Sequence, residues 1–211
     1  SFFGRVGYFI HGVPNIALFF QNHYFRKHTN KIINNKTKTI LDVGCGGGDY
    51  SFYFAEKHPD IKIDAIDISK EGIEVLKLVQ KKTPFHNINF FVSDLETSGG
   101  GRKYNIVLLI NVINEIKNKK DFIKKAINFV EIEGYIIIQS HPPEGYTKHI
   151  IAKPDQFYDY QKKYSKGEQI SEEQLLKLLK EEGFNVIMHE KIVGFFAQLG
   201  WEMDYAIRRL N

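Results

Sequence analysis

The sequence predicts an α/β fold built on a mostly parallel central sheet flanked by helices. From about residue 38 onward, short apolar runs alternate with helix-like segments, which is the order of a parallel sheet with crossover helices. Residues 104–110 are almost uninterruptedly apolar, as expected for a strand buried on both faces. The first strand ends in an acid and a run of glycines, a turn that suits a small-molecule site at the edge of such a sheet.

Composition limits the classes of protein that the chain can represent. Its 211 residues are 43% hydrophobic and 26% charged, which is ordinary for a globular protein with a sizeable core. The mild net charge of +4 argues against a dedicated nucleic-acid groove. The single cysteine, Cys45, excludes an intrachain disulfide. Because the sequence has no apolar stretch of transmembrane length and no signal-peptide pattern, we expect a cytoplasmic protein.

The first 36 residues form a separate, strongly aromatic segment. Pro14 suits the first turn of a helix that runs to about Lys31. We therefore predict an N-terminal helical cap over residues 1–36 and a main domain over residues 37–211. The cap either packs on the sheet edge or closes over an acceptor site, and the sequence leaves both possibilities open.

The glycine turn follows a strand predicted at 38–43 and opens a helix predicted at 48–57. A dinucleotide fingerprint, G-x-G-x-x-G, fails here because Asp49 stands at the third glycine position, and no Gly-Lys-Ser/Thr follows for a P-loop. Residues 41–48, LDVGCGGG, instead resemble motif I of the class I S-adenosylmethionine (SAM) dependent methyltransferases. The resemblance implies a Rossmann-like methyltransferase fold over about residues 37–190, with SAM as cofactor.

The resemblance also implies which residues hold the cofactor, at the ends of the first four strands. Asp67 ends the second strand, predicted at 61–67, where an acid can accept hydrogen bonds from both ribose hydroxyls. Asp94 follows the third strand, predicted at 87–92, and would accept from the adenine amino group. The complete predicted cofactor-binding set is Asp42, Gly44, Gly46, Gly48, Asp67, Ile68, Asp94, Leu95 and Asn111.

The segment after the fourth strand points to a small-molecule acceptor. Residues 111–116, NVINEI, resemble the stretch N-V-L-H-E-I that small-molecule methyltransferases carry here, whereas the Pro-Pro-Tyr/Phe motif of base-modifying enzymes is absent from this place. The asparagines in this stretch are poor Mg²⁺ ligands, so we expect no metal. The predicted acceptor pocket, which suits an apolar or aromatic molecule, comprises Phe9, His11, Tyr24, Asn114 and Tyr158.

A hydroxyl acceptor would need a general base. His141 is the candidate, because it follows the fifth strand at the carboxyl end of the sheet and imidazole titrates near neutral pH. His11 and Glu115 compete with it, and His141 also fits a plain structural role at the start of a Pro-Pro loop.

The remaining elements follow from local patterns. We predict helices over 70–82 and 121–131, a turn and a fifth strand over 132–139, a capping box at Ser171 and a strand over 184–190. An apolar stripe that includes Met203 and Ile207 predicts a helix over residues 195–210. The antiparallel last strand of the family is then left with three possible fates: it lies at 192–198, it lies beyond the sequence, or a helix replaces it.

The predicted function is methyl transfer from SAM to O, N or C of a small molecule. Three alternatives stay open: an RNA- or protein-modifying methyltransferase, a non-catalytic SAM-binding module, and an NAD-dependent oxidoreductase, which the missing third glycine disfavours. The sequence predicts no membrane span and leaves the oligomeric state undetermined.

Overall fold

The computed structural model describes residues 26–27, 29–97, 101–140, 170–191 and 203–209. The described strands are β1 (Thr39–Val43), β2 (Lys62–Asp67), β3 (Ile88–Val92), β4 (Tyr104–Ile110), β5 (Val130–Ser140), β6 (Phe184–Lys191) and β7 (Met203–Arg209). The helices within these ranges include α1 (Asp49–Lys57), α2 (Lys70–Gln80), α3 (Lys119–Ile127) and α4 (Glu172–Glu181), with a short 3₁₀ helix at Ile113–Glu115. Residues 26, 27 and 29–32 are helical as well, in agreement with the end of the predicted cap helix.

The strands form one seven-stranded sheet in the order β3-β2-β1-β4-β5-β7-β6. The first five of these strands are parallel to one another, and β7 is antiparallel to both β5 and β6. The chain runs outward from β1 to β3 and then returns to place β4 on the other side of β1. At such a reversal of strand order, the carboxyl ends of the two central strands flank a crevice. The fold thus places a binding crevice beside the glycine turn.

Local capping chemistry fixes where the helices begin. The Ser69 hydroxyl accepts a hydrogen bond from Gly72 N at the start of α2, and Asn118 accepts from Asp121 N at the start of α3. Ser171 forms the predicted capping box with Gln174 at the start of α4. None of the helices in the described ranges combines the length and apolar character that a bilayer crossing requires.

Two apolar clusters cover the two faces of the sheet. On one face, α1 and α2 pack through Phe52, Phe54 and Ile73 against β1–β4. On the other face, α3 and α4 pack through Phe122 and Leu179 against β4 and β5. Because both faces are covered, the central strands are apolar on both sides. The apolar run that forms β4 predicts this arrangement.

The start of β5 differs from the prediction. The helix predicted over 121–131 ends at Ile127, and Val130 already pairs with Tyr104. The register then shifts between Tyr104 and Ile106, so β5 holds extra residues there. A Cβ on Gly134 would lie 2.9 Å from the Asn105 carbonyl oxygen. Gly134, predicted in a turn, is therefore a glycine that lets two strands approach closely inside the sheet.

The helix predicted over residues 195–210 is wrong for its described part. Residues 203–209 form β7, which inserts between β5 and β6. The antiparallel strand β7 therefore matches none of the three outcomes considered from the sequence. An apolar residue at every second position from Met203 to Ile207 fits a strand as well as spacing by four fits a helix. The hydrogen bonds that decide between them come from β5 and β6, which are distant in the sequence.

Candidate active-site cleft

The glycine turn between β1 and α1 needs left-handed backbone at three places. Gly44, Gly46 and Gly48 have φ of 67°, 50° and 75°, values that residues other than glycine rarely adopt. The turn is tied to the neighbouring strand, because Gly44 N and Cys45 N both donate to the Ile66 carbonyl oxygen, at 2.8 and 3.0 Å. The turn is therefore held in one conformation by the sheet itself.

The three glycines differ in the space around them. A Cβ on Gly44 would lie 2.4 Å from Val112 Cγ2, and one on Gly48 would lie 2.8 Å from Leu76 Cδ2. A Cβ on Gly46 would meet no atom within 4 Å. Gly44 and Gly48 therefore permit tight packing, whereas Gly46 faces the open space that a ligand would need.

This open space belongs to a cleft of about 590 Å³ at the carboxyl ends of β1, β2, β3 and β4. Eight of the nine predicted cofactor residues line it: Asp42, Gly44, Gly46, Asp67, Ile68, Asp94, Leu95 and Asn111. Gly48 differs from the prediction, since it is buried beneath the turn and is not among the lining residues. The structure thus brings together residues that are up to 69 positions apart, from Asp42 to Asn111.

Asp67 connects the glycine turn to the end of β2. Its Oδ2 accepts a hydrogen bond from Gly46 N, and its Oδ1 accepts one from Ser69 N, both at 2.9 Å. A carboxylate has about four acceptor positions, so both oxygens keep capacity for a ligand. Asp67 can therefore hold two hydroxyl groups while it fixes Gly46 in place.

The end of β3 supplies the next part of the wall. Asp94 Oδ1 accepts a hydrogen bond from Glu96 N at 2.8 Å, which fixes the turn that carries the carboxyl group. Leu95 is 2% exposed, whereas Ile68 on the facing loop is 72% exposed. A ligand that covers the Ile68 side chain would remove apolar surface from water.

Asp42 lies under the turn and is 3% exposed. Its Oδ2 accepts a hydrogen bond of 2.6 Å from Ser51 Oγ. The pKa of Asp42 is raised to about 6, mainly because the carboxyl is buried. The Ser51 hydrogen bond opposes this rise, and the nearby Asp67 and Asp49 carboxylates add to it. No local sequence pattern marks Ser51 for this role, because the contact depends on how α1 packs on β1.

The charges of the cleft are of one sign. Its described lining residues include five acids and no lysine, arginine or histidine; the acids are Asp42, Asp49, Asp67, Asp94 and Glu115. Burial also raises the pKa of the Cys45 thiol, so that this lining residue is a neutral thiol. A cleft of this kind favours a ligand that carries positive charge.

Asn111, directly after β4, has the one positive φ of a non-glycine residue in the described ranges, 59°. Its N–H donates to the Gln139 carbonyl oxygen at 2.9 Å. Its Oδ1 is buried and has no hydrogen-bond partner. A buried polar atom without a partner costs about 1–3 kcal/mol, and asparagine is one of the few residues that tolerate left-handed backbone.

Tyr50 lines the cleft and Arg26 packs behind it, and the sequence predicts neither position. Tyr50 lines the cleft, and its hydroxyl donates to Gln139 Oε1 at 3.3 Å. The Arg26 guanidinium carbon lies 5.6 Å from the Tyr50 ring centre and 4.4 Å from that of Tyr53. The described end of the cap segment thus places a cation behind the cleft wall. No local sequence pattern marks such a contact.

Most of the remaining predicted site residues are in parts of the chain that the structure does not describe. Phe9, His11, Tyr24, His141 and Tyr158 lie outside the described residues. Asn114 lies in the 3₁₀ helix Ile113–Glu115, beside the cleft-lining Glu115. Among the described residues, no group of three or more metal-ligating side chains comes together.

Comparison with known proteins identifies the class. A family model described as a methyltransferase domain matches residues 34–197, which is most of the chain. The chain therefore belongs to this methyltransferase family, and the resemblance to SAM-dependent class I methyltransferases is confirmed.

Curated relatives in the family include O- and N-methyltransferases. The chain is 31% identical over 107 residues to malonyl-[acyl-carrier protein] O-methyltransferase 2 of Ilyobacter polytropus, covering 51% of this chain and 40% of that protein. It is 27% identical over 131 residues to the ubiquinone biosynthesis O-methyltransferase of Rickettsia typhi, covering 62% and 51%. The chain spans less than two thirds of the length of the first curated relatives that it matches.

Solved structures confirm the predicted fold. Coclaurine N-methyltransferase, bound to N-methylheliamine and S-adenosylhomocysteine (SAH), matches with a TM-score of 0.66 and 18% identity, covering 85% of this chain and 52% of that chain. Magnesium protoporphyrin IX methyltransferase of Synechocystis PCC 6803, with bound SAH, matches with a TM-score of 0.66 and 17% identity, covering 90% and 81%. The Rossmann-like methyltransferase fold is thus shared at low sequence identity.

Proposed function

We propose that this protein transfers a methyl group from SAM to O, N or C of a small molecule. The observation that carries the proposal is the cleft itself: a left-handed glycine turn with open space at Gly46, an acid at the end of β2 and an acid after β3. Membership of the methyltransferase family supports the same function.

The lining residues fit SAM part by part. Gly46 leaves room for the amino acid part, Asp67 offers two acceptor oxygens to the ribose hydroxyls, and Asp94 offers an acceptor to the adenine amino group. The acidic lining suits a cofactor with an ammonium and a sulfonium group. Arg26, behind Tyr50, is our candidate for balancing the cofactor carboxylate.

SAM, when bound, supplies a sulfonium methyl group that a nucleophile can attack in line. The protein's own contribution is then to orient cofactor and acceptor and to exclude water, and effects of orientation alone reach several kcal/mol. For a hydroxyl acceptor we keep His141 as the proposed general base. Glu115 is its competitor, and it lines the cleft.

We propose an apolar or aromatic small molecule as the acceptor, bound with the help of Phe9, His11, Tyr24, Asn114 and Tyr158. The curated relatives support this class, because their names include alkaloid and ubiquinone-biosynthesis methyltransferases. We propose that nucleic acid is not the substrate, and we place the reaction in the cytoplasm, where a reduced thiol such as Cys45 is stable.

The proposal is tested first by calorimetric titration of SAM into the wild-type protein and the Gly46→Ala variant. Because the new methyl group would occupy ligand space, we expect Gly46→Ala to weaken SAM binding by about tenfold. Gly183→Ala is the matched control, since Gly183 also has a positive φ of 78° and open space around it but lies outside the cleft lining. Both variants should lose about 1–2 kcal/mol of folding stability through backbone strain.

Three results would contradict this reading. Equal SAM binding by both variants would remove Gly46 from the site. Binding of NADH without SAM would make the protein an oxidoreductase-type module. SAM binding without turnover on small molecules, peptides or RNA would indicate a non-catalytic SAM-binding protein.

The pH dependence of SAM binding tests the role of Asp42. The pKa of Asp42, raised to about 6 by burial, means that the folded protein holds this proton more tightly than the unfolded chain. The contribution of Asp42 to folding stability therefore falls as pH rises from about 4 to about 6. Asp42 ionises more readily beside a cation, so SAM affinity should rise over about pH 5–7.5, by up to tenfold for each unit that its pKa falls on binding.

The matched variant for this test is Asp42→Asn, which keeps the shape of the side chain and cannot ionise. Calorimetry at several pH values should give a flatter affinity curve for Asp42→Asn than for the wild type. Parallel curves for the two proteins would show that another group governs the pH dependence.

A further inference from the structure

The strand β3 is at one edge of the sheet and has β2 as its neighbour. Residues 87–93, NINFFVS, contain no charged residue and no proline, although such residues usually protect an edge strand from pairing. Phe91 is 47% exposed and Val92 is 50% exposed. The strand at the opposite edge, β6, has an extra residue between Val186 and Met188, and a bulge of this kind protects an edge. In the described part of the chain, β3 is therefore the unprotected edge of the sheet.

The backbone groups of β3 alternate between the two sides of the strand. The Asn87 carbonyl oxygen accepts from Ile63 N at 2.8 Å, and Ser93 N donates to the Asp67 carbonyl oxygen at 2.9 Å. The odd-numbered residues of β3 therefore direct their N–H and C=O groups toward β2, and the even-numbered residues direct theirs outward.

The second half of this outer side is open. The Ile88 carbonyl oxygen already accepts a hydrogen bond from Gln80 Nε2 at 2.6 Å. Phe90 and Val92 face no other described strand, so each presents an N–H and a C=O to a further one. An antiparallel strand that pairs with both residues would exchange four hydrogen bonds with β3.

The same segment of a second copy fits this edge. When two β3 strands pair antiparallel about a two-fold axis at Phe91, Phe90 of each copy lies opposite Val92 of the other, and all the outward groups of these residues are paired. The two Phe91 side chains then lie opposite each other on one face and cover each other from water. A two-fold axis at Phe90 would instead require the Ile88 oxygen that Gln80 occupies.

The charges on either side of β3 favour the same arrangement. The exposed Lys81 and Lys82 precede the strand, whereas Asp94 and the exposed Glu96 follow it. Antiparallel pairing places the basic start of each strand beside the acidic end of the other, whereas parallel pairing would bring like charges together. We propose that β3 is a homodimerisation edge, at which two copies of this chain pair antiparallel through residues 90–92 and share one continuous sheet.

The paired segment is short, so the dimer is weak. Two five-residue strands bury less surface than the roughly 1,200–2,000 Å² of a standard interface. We expect a monomer–dimer equilibrium of the 211-residue chain with a Kd of about 10–100 µM. Sedimentation velocity over a concentration series that spans this range measures it.

The variant Phe91→Lys tests the position of the axis. It places two like charges directly opposite each other, so it should raise the Kd of the dimer by at least about tenfold. Ile187→Lys on β6 is the matched control, since Ile187 is also 47% exposed, and it should leave the dimer unchanged. SAM affinity of Phe91→Lys should equal that of the wild type, because Phe91 does not line the cleft.

Cysteine cross-linking tests the register. Directly opposite residues whose backbone groups point away from each other have Cα atoms about 4.5 Å apart, which is within reach of a disulfide. Oxidised Phe91→Cys should therefore form a covalent dimer. Val92→Cys should stay monomeric on a denaturing gel, because the two copies of residue 92 are offset along the strands and their Cα atoms are more than about 7 Å apart. The wild type, with Cys45 as its single cysteine, controls for that thiol.

A wild-type protein that stays monomeric over the whole concentration series would overturn the inference. A dimer that Phe91→Lys leaves intact would overturn it as well, and equal cross-linking of Phe91→Cys and Val92→Cys would overturn the pairing about Phe91. If Phe91→Lys does not fold, the two cysteine variants decide. None of these outcomes bears on the proposed methyl transfer, which the SAM titrations test separately.

Discussion

Replacing Asp67 by alanine should weaken SAM binding by about ten- to a hundredfold, as measured by calorimetry. Hydrogen bonds to a charged group are worth about 1.5–3 kcal/mol, and Asp67 is proposed to accept from both ribose hydroxyls. The same carboxylate also accepts from Gly46 N at 2.9 Å. The variant would therefore lose ligand contacts and loosen the turn that borders the amino acid part.

Two further variants separate these effects. Asp67→Asn keeps one acceptor oxygen, so its loss of affinity should lie between those of the wild type and Asp67→Ala. Asp60→Ala changes an exposed acid in the turn before β2 and should leave the affinity unchanged. Wild-type affinity in Asp67→Ala would exclude the ribose role.

The largest expected effect on stability lies in a polar cluster at the other end of the sheet's first strands. Asp64 is 4% exposed and accepts hydrogen bonds from Arg102, Tyr104 and Asn89, at 2.6, 2.9 and 2.8 Å. Burial and the neighbouring Asp64 raise the pKa of Tyr104 to about 12, so the phenol stays a donor. Asp64 thus connects β2, β3 and the start of β4.

We expect Asp64→Ala to lower the free energy of unfolding by about 2–4 kcal/mol. Breaking a buried charge pair costs about 3–5 kcal/mol, and the value is reduced because the Arg102 side chain is 49% exposed and can be hydrated. Denaturant unfolding measures this change. SAM affinity should stay near the wild-type value, since Asp64 does not line the cleft.

A double-mutant cycle checks that the contact itself is responsible. Tyr104→Phe removes one donor, and in the Asp64→Ala background it should cost less than in the wild type, because its acceptor is already gone. Strictly additive losses would show that the two side chains are not energetically coupled.

Much of the fold could be predicted because local sequence patterns determine it. β4 was predicted as residues 104–110 and occupies Tyr104–Ile110, since a strand buried on both faces is apolar throughout. The glycine turn and Asp67 could be predicted for a similar reason, because the spacing from the turn to the end of β2 is short and regular. The capping box at Ser171 is likewise a local pattern.

The rest depends on contacts between distant parts of the chain. Ser51 reaches Asp42 only after α1 packs on β1, and Arg26 reaches Tyr50 only when the cap segment meets α1. The early start of β5 needs Tyr104 as a partner for Val130. The unpartnered oxygen of Asn111 is likewise a property of its surroundings, which no spacing in the sequence could reveal.

The position of β7 has a consequence for how the protein is made. Ile136 of β5 pairs with Ile207, and Ile207 pairs with Val186 of β6. The ribosome therefore synthesises β7, which lies between β5 and β6 in the sheet, after both of these strands. Pairing between β5 and β7 is slow, because the two strands are far apart in the sequence. Until β7 inserts, the six residues of β5 that pair with it, Tyr135–Ser140, form an open edge, which can recruit strands from other chains. The nascent protein thus exposes this edge of β5 to aggregation in the interval before β7 is in place.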